Sequence, residues 1–158
     1  MKGMLRALVA YSVLMAAPAG AGTHSAIYLA AWSDACEYTV MPCEGIQPPV
    51  VGFVPLLVPW GAMGAYSPSW DSEVVWMDVN LIGRLDNPAS FDLYAYSVLM
   101  HEMVHYIDHK ANGVPLTTPA QVCLSERMAF EAVNLWAVAN EFPFMVTEGW
   151  KDYYEHCQ

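Results

Sequence analysis

Short apolar runs broken by turn residues make up the first part of the chain. Residues 26–32 (AIYLAAW) predict a strand or a short helix, and residues 34–45 (DACEYTVMPCEG) are loop-like. A buried strand is expected from about Val50 to Val58, punctuated by Pro and Gly. Residues 61–71, rich in Gly and Ser, then predict a turn-rich connection.

Residues 72–83 (SEVVWMDVNLIG) are rich in β-branched side chains and predict a further strand. Side chains alternate between the two faces of a strand. One face would carry Val75, Met77 and Val79, and the other Val74, Trp76, Asp78 and Asn80. Because Asp78 and Asn80 share a face, we expect that side of the strand to meet solvent or a cleft.

A long helix is predicted after this strand. Asn87 and Pro88 form an N-cap and first-turn pair, and Ser90 is a second cap candidate. The helix should run to about Ala111, with Gly113 suited to the position just past its last turn.

Two more helices follow in the prediction. Thr118 and Pro119 start one of them by the same reasoning, and it ends near Asn140, before Pro143. A short third helix is expected over residues 148–156. Strands followed by helices is the order of an α+β fold.

The predicted long helix carries the pattern HEMVH at residues 101–105. Positions i and i+4 lie about 40° apart around a helix, so His101 and His105 project from one face, one turn apart. Two imidazoles placed this way can bind one zinc ion at about 2.0–2.1 Å each. Glu102 lies near enough to exchange a proton with a water on that ion. The pattern favours a zinc site over its alternative, two histidines satisfied on a half-buried helix.

A catalytic zinc needs a third protein ligand, and the next predicted helix offers Glu126 and Glu131. At about 100° per residue, Glu126 falls on the apolar stripe that must pack inward. The stripe consists of Val122, Ala129, Val133, Trp136 and Ala137. Glu131 falls on the opposite side, where an ion pair with Arg127 is the ordinary interpretation. Because a carboxylate on a core-facing stripe is costly unless it meets a cation, Glu126 is the predicted ligand and Glu131 the alternative.

The first 21 residues have the pattern of a secretory signal. Two basic residues, Lys2 and Arg6, precede an apolar run and the small-residue triplet AGA. An uncleaved anchor is the alternative, but the run is short of the roughly 20 residues that span a bilayer. We expect residues 22–158 to form one secreted or periplasmic domain, without stable membrane insertion.

The chain is acidic, with 16 Asp and Glu against 6 Lys and Arg and a formal charge of −10. Removal of the signal would take away two basic side chains and leave −12. Such a charge argues against nucleic acid and anionic membranes as partners.

Four cysteines in an exported chain indicate two disulfides. Cys36 and Cys43 are close in sequence around an expected turn, and Cys123 and Cys157 fall on the last two predicted helices. The favoured pairing is therefore Cys36–Cys43 with Cys123–Cys157. It is preferred over a four-thiolate zinc site because the chain has no C-x-x-C pair.

HEMVH, with Glu126 twenty-one residues past His105, resembles the zincin metallopeptidases and among them the gluzincin type. HEMVHYID and CLSERMAF also look like segments of small secreted bacterial zincin-like proteins of poorly known function. The resemblance implies that His101, His105 and Glu126 bind Zn²⁺ and that Glu102 is the general base.

The resemblance covers about residues 72–140 and also implies an architecture. It implies a minimal zincin-like α+β domain, in which a small β-sheet precedes the HExxH helix, a Glu-bearing helix and a short C-terminal helix. In that family an edge strand above the metal binds the peptide in an extended form. Residues 72–80 (SEVVWMDVN) are the candidate for this strand.

Other zincin branches fit less well. The metzincin pattern requires Gly where this chain has Asp108, and the Gly-Thr segment of the aspzincin type is absent. Asp108 is either an acceptor that orients an imidazole or a surface acid near the helix end. His109, one turn beyond His105, is too far along the helix to join the same ion and is expected at the surface.

A His or Tyr donates a hydrogen bond to the oxyanion in zincin relatives. Tyr153, Tyr154 and His156 are the candidates here, and Arg84 is a weaker one. The alternative for the three C-terminal residues is aromatic packing of a terminal helix.

The resemblance thus implies a secreted zinc metallopeptidase that hydrolyses peptide or protein substrates through a zinc-activated water, with Glu102 as general base. The alternative is a non-catalytic module, zinc-binding or stabilised by disulfides, that acts through a protein partner. The short chain favours this alternative somewhat, because it leaves little room for a second lobe. Metal-dependent hydrolysis of a non-peptide amide is a third hypothesis.

Overall fold

The computed structural model describes residues 26–55, 63–85, 92–113 and 118–142. The elements in these ranges are α1 (Ala26–Tyr38), β1 (Val50–Val54), β2 (Gly64–Tyr66), β3 (Val74–Asp78), a 3₁₀ turn (Val79–Leu81), α2 (Ile82–Leu85), α3 (Leu93–Asn112) and α4 (Pro119–Ala139). They form a small mixed sheet and a set of helices, so the predicted α+β class is confirmed.

Several predictions fall outside the described residues. They are the signal sequence at 1–21, the end of the first strand beyond 55, the caps at 87–90, the terminator Pro143 and the helix at 148–156. In the described part of the chain, no helix is both long and apolar enough to cross a membrane.

The sheet has the strand order β1-β3-β2, with β1 parallel and β2 antiparallel to β3. Two predictions are corrected here. The connection at 61–71 contains β2, and residues 72–80 supply the central strand rather than an edge strand. The position of β3 explains why its side chains are buried on both faces from Val75 to Asp78, the pattern of a strand enclosed by the fold.

The expected polar face of this strand, with Asp78 and Asn80 on one side, does not form. Asp78 is buried and ends the strand, and its carboxylate accepts hydrogen bonds from the backbone and side-chain amides of Asn80. Asn80 lies in the 3₁₀ turn, outside the strand, so the two residues do not form a strand face. The pair caps a turn because a short Asx side chain competes well for nearby amides.

The first element, α1, is a helix that includes residues 34–38, predicted as loop. It buries Tyr28, Ala31 and Ala35, spaced three and four residues apart on one face. Just beyond it, the predicted disulfide Cys36–Cys43 is confirmed. This bond fixes the end of α1 to the turn that leads into β1.

The two long helices have well-defined ends. The N-cap of α3 is Asp92, whose carboxylate accepts from the Ala95 amide, and Gly113 ends the helix with φ 64°. The α4 helix begins as predicted with Thr118 and Pro119, and a capping box joins Thr118 to Gln121. These ends fix the rotation of both helices and hence the direction of their side chains.

The core is built around α3, which packs against α1, α4, β2 and β3. Every residue from Glu102 to Asp108 is buried, so the middle of α3 is enclosed on all sides. The largest fully buried side chains there are Tyr106, Leu99, Met100, Met103 and Ile107. Residues 102–105 of the HEMVH segment therefore lie in the packed middle of the helix.

Candidate metal centre

The three predicted ligands meet between α3 and α4. Nε2 of His105 lies 3.0 Å from Nε2 of His101. The carboxylate oxygens of Glu126 lie 3.2 Å from Nε2 of His101 and 3.5 Å from Nε2 of His105. The ligand atoms all lie within 4.8 Å of one another, and the group could hold a metal ion.

The spacing of these atoms fits a tetrahedral ion. Ligand atoms at about 2.0–2.1 Å from a tetrahedral zinc are about 3.3–3.4 Å apart. The two histidine nitrogens are 3.0 Å apart and Nε2 of His101 lies 3.2 Å from Oε2 of Glu126, both close to that value, while the 3.5 Å from Nε2 of His105 is measured to the other carboxylate oxygen, Oε1. Two imidazoles and one carboxylate are also a donor set that zinc accepts, with one coordination position left open.

Local helix geometry produces this convergence. The i and i+4 spacing places the His101 and His105 rings 4.7 Å apart on one face of α3. Glu126 comes from the inward stripe of α4, where Ala129, Val133, Trp136 and Ala137 are buried. The stripe therefore brings one carboxylate to the two histidines.

The two imidazoles are supported differently. Nδ1 of His105 is 2.9 Å from the hydroxyl of Ser125, a buried residue next to Glu126. The His101 ring packs on Phe130 at 4.3 Å, and within the described residues its buried Nδ1 has no hydrogen-bond partner. Metal-binding imidazoles usually donate from the second nitrogen. Of the two histidines, His105 therefore has the more complete support.

Glu126 and His105 are electrostatically coupled. Burial alone would raise the pKa of Glu126, but hydrogen bonds from His101 and His105 hold that pKa far below its usual range. Burial alone would lower the pKa of His105, but Glu126 and the charge of Glu102 raise it. Glu126 therefore stays ionised, as a ligand carboxylate must be.

Glu102 is buried beside the ligands without being one of them. Burial raises the pKa of its carboxyl, the charges of His101 and His105 oppose that rise, and Glu126 adds to it. The backbone amide of Tyr66 also faces this carboxylate as a hydrogen-bond donor. Glu102 thus lies between the ligand group and β2.

A cleft of about 710 Å³ opens at this point. One wall is β2 with the turn after it, and the other is formed by α3 and α4. Its lining comprises Gly64, Ala65, Tyr66, Ser67, Pro68, Ser69, Ser72, Glu102, His105, His109, Val122 and Glu126. A molecule in the cleft can therefore reach two of the three ligands and Glu102 together.

The contacts of Glu131 and Asp108 decide between the interpretations that the sequence left open for these two acidic residues. Glu131 is exposed and pairs with Arg127 at 2.8 Å, so it does not join the ligand group. Asp108 is buried and accepts from the Asn112 side chain, while His105 is hydrogen-bonded to Ser125. Asp108 is therefore neither a surface acid nor the acceptor that orients an imidazole.

Two basic residues also differ from expectation. His109 is outside the ligand group, as predicted, but it lies in the cleft wall with Nδ1 2.7 Å from the Tyr66 hydroxyl. Arg84 pairs with Asp92 at the start of α3, about 20 Å along the helix from His105. Arg84 is too far away to act in the cleft, and Tyr153, Tyr154 and His156 lie outside the described residues.

Three residues of the site are not predicted from the sequence: Ser125, Gly64 and Tyr66. Ser125 could have been predicted, because it precedes Glu126 on the same helix. Gly64 and Tyr66 could not, because only the pairing of β2 with β3 brings them over α3. Cys123 is disulfide-bonded as predicted, but its expected partner Cys157 lies outside the described residues.

No family model, no curated protein sequence and no solved structure matches this chain. The geometry of the cleft is therefore the basis for proposing a function.

Proposed function

We propose that this protein is a zinc-dependent metallopeptidase of the zincin type. The observation that carries the proposal is the convergence of His101, His105 and Glu126, with Glu102 buried beside them at the floor of an open cleft. A bound zinc ion would supply an activated water and polarise the carbonyl group of the scissile bond. The two histidines and Glu126 would hold it.

Glu102 has the role of general base. Its carboxylate faces the cleft and adjoins the ligand group, so it can take a proton from the attacking water and return it to the leaving amine. Its burial supports this role, because a carboxylate in a dry site is a stronger base than one in water.

The substrate is an extended peptide that lies along β2. Met63 and Ala65 face β3, since the Met63 carbonyl accepts from the Asp78 amide, so the backbone groups of Gly64 and Tyr66 face the other way. The Tyr66 amide donates to Glu102, which leaves the Gly64 amide and carbonyl and the Tyr66 carbonyl for a peptide. Within the described residues, β2 has no second neighbouring strand. A peptide could add there as a further strand, next to Glu102.

The same proposal places the protein in an oxidising compartment, secreted or periplasmic. The Cys36–Cys43 bond and the bonded state of Cys123 support this location, because structural disulfides persist mainly outside the cytosol.

Turnover of a peptide library by the zinc-loaded chain tests the proposal. The Glu102→Gln variant should keep its zinc and lose cleavage, because an amide cannot accept the proton. Glu131→Gln is the matched control, an exposed carboxylate on the other side of α4 that should leave cleavage unchanged. Cleavage that survives in Glu102→Gln would overturn the mechanism, and a zinc-loaded wild type that cleaves nothing would favour the non-catalytic alternative.

A further inference from the structure

The closest approach between β2 and α3 is at Gly64. A Cβ atom at this position would lie 2.7 Å from Cγ and 3.0 Å from Oε1 of Glu102. It would also lie 2.8 Å from Cγ1 of Val98. Carbon atoms in contact are about 3.5–4.0 Å apart. Even a methyl group at position 64 therefore has no room.

Position 64 does not require glycine for its backbone conformation. Among the described glycines, positive φ angles occur at Gly45 and Gly113, while Gly64 has a conformation open to any residue. Glycine in a strand often marks a close approach of the backbone to another group. Here the group is the side chain of the general base, together with Val98.

The strand cannot easily move away to make room. Gly64 pairs with Met77 and Tyr66 pairs with Val75 on the central strand β3. The Tyr66 ring also packs edge-on against Tyr106, 5.5 Å away, and its hydroxyl contacts His109. A larger residue at 64 would therefore displace the Glu102 side chain before it displaced β2.

We propose that Gly64 is a positioning residue for Glu102. Because residue 64 has no side chain, the backbone of β2 can contact the Glu102 side chain directly. The Tyr66 amide and the strand backbone then hold the Glu102 carboxylate in an orientation toward the cleft. The consequence for catalysis rests on the proposed function, whereas the contact itself does not.

Kinetics of Gly64→Ala test the catalytic part. The variant should keep its zinc and its KM while kcat falls about 100-fold, because a displacement of about 1 Å at a reacting group costs that much. A kcat equal to that of the wild type, with zinc bound, would overturn the proposal.

Two other glycines provide controls. A Cβ at Gly52 would lie 2.5 Å from the Trp76 ring, so Gly52→Ala strains the same sheet away from Glu102. A Cβ at Gly83 meets nothing within 4 Å. Gly52→Ala should lower Tm with kcat of the folded protein unchanged, and Gly83→Ala should change neither. An equal loss of kcat in Gly52→Ala would show that sheet strain alone is responsible and would overturn the assignment.

A double-mutant cycle tests the contact without any activity. Gly64→Ala should lower the urea midpoint of the wild type by more than it lowers that of Glu102→Ala, because removal of Cγ relieves the overlap. If Gly64→Ala alone fails to fold, the cycle is measured in a Val98→Ala background, which removes the second overlap at this position. Equal shifts with and without the Glu102 side chain would refute the contact. A coupled pair in a chain that cleaves no peptide would refute the proposed function and leave the contact established.

Discussion

At the scale of single residues, Ser125 is the support on which the His105 imidazole depends. Its hydroxyl fixes which ring nitrogen of His105 is left to face Glu126 and His101. Ser125→Ala should weaken zinc binding about 10–100-fold, the usual effect of losing the hydrogen-bond partner of a ligand. Competition with a chelator measures this change.

Ser97→Ala is the control for that experiment. Ser97 is a buried serine one turn before His101, and its hydroxyl donates to the Tyr94 carbonyl of its own helix rather than to an imidazole. Its replacement should leave zinc affinity unchanged. Equal affinities of the wild type and Ser125→Ala would show that the ring orientation does not depend on the serine.

The carboxylate ligand gives a second prediction at this scale. Glu126→Gln should release zinc at concentrations that saturate the wild type, because the neutral amide is a poor ligand for the ion. Glu131→Gln, five residues along α4, should retain full occupancy, because Glu131 is exposed and pairs with Arg127 instead of joining the three proposed ligands. Retention of zinc by Glu126→Gln would mean that another residue is the third ligand.

The convergence of His101, His105 and Glu126 could be predicted from sequence because it follows from helix geometry. His101 and His105 share a face through their spacing, and Glu126 shares a stripe with core residues. Ser125 and Asp108 could not be assigned, because their partners depend on how α3 and α4 are rotated against each other.

At the scale of elements, α3 is anchored at its start by Asp92. The carboxylate caps the helix and pairs with Arg84, and the Arg84 hydrogen bond and then the Ala95 amide hold the pKa of Asp92 below its usual range. Asp92→Ala should cost about 0.5–2 kcal/mol at pH 7, measured by urea unfolding.

The contribution of this cap should depend on pH. A carboxylate with a lowered folded-state pKa stabilises the protein above its unfolded pKa, and the effect is lost as pH falls through the folded value. The difference between the wild type and Asp92→Ala should therefore shrink below about pH 4. Thr118→Ala removes the cap of α4, and a threonine hydroxyl does not titrate. The loss of unfolding free energy in Thr118→Ala should therefore be similar at pH 7 and at low pH. A constant difference for Asp92→Ala would contradict the lowered pKa.

The elements differ in how well sequence predicted them. The α3 and α4 helices were predictable because they are long and periodic, and α4 begins at a Thr-Pro cap. The β2 strand could not be predicted because it is three residues long and Gly64 and Ala65 have little strand preference of their own, so that pairing with β3 makes it a strand. The edge position of residues 72–80 was implied by the resemblance alone, and the sequence does not show that β2 takes that position beside them.

At the scale of the whole molecule, the Cys36–Cys43 disulfide should stabilise the fold without shaping the site. The bond closes a loop with a sequence separation of 7, between α1 and β1, while the ligands lie on α3 and α4. Replacing both cysteines by Ala should cost about 2–3 kcal/mol. Zinc content per folded chain should be unchanged, and a loss of zinc would show that α1 controls the geometry of the ligands.

In the described part of the chain, a packed core lies beside an open cleft. The middle of α3 is enclosed by α1, α4 and the sheet, and the ligand group opens to solvent beside β2. The proposed metal site depends on this arrangement, since His101, His105 and Glu126 come from two helices whose distance the core fixes.

The most informative single measurement is the zinc content of the purified chain, by elemental analysis without added metal. We expect about one zinc per chain, and less than that in His105→Ala prepared in parallel. A content near zero in the wild type, with none taken up from added zinc, would contradict the metal centre and the peptidase proposal that depends on it.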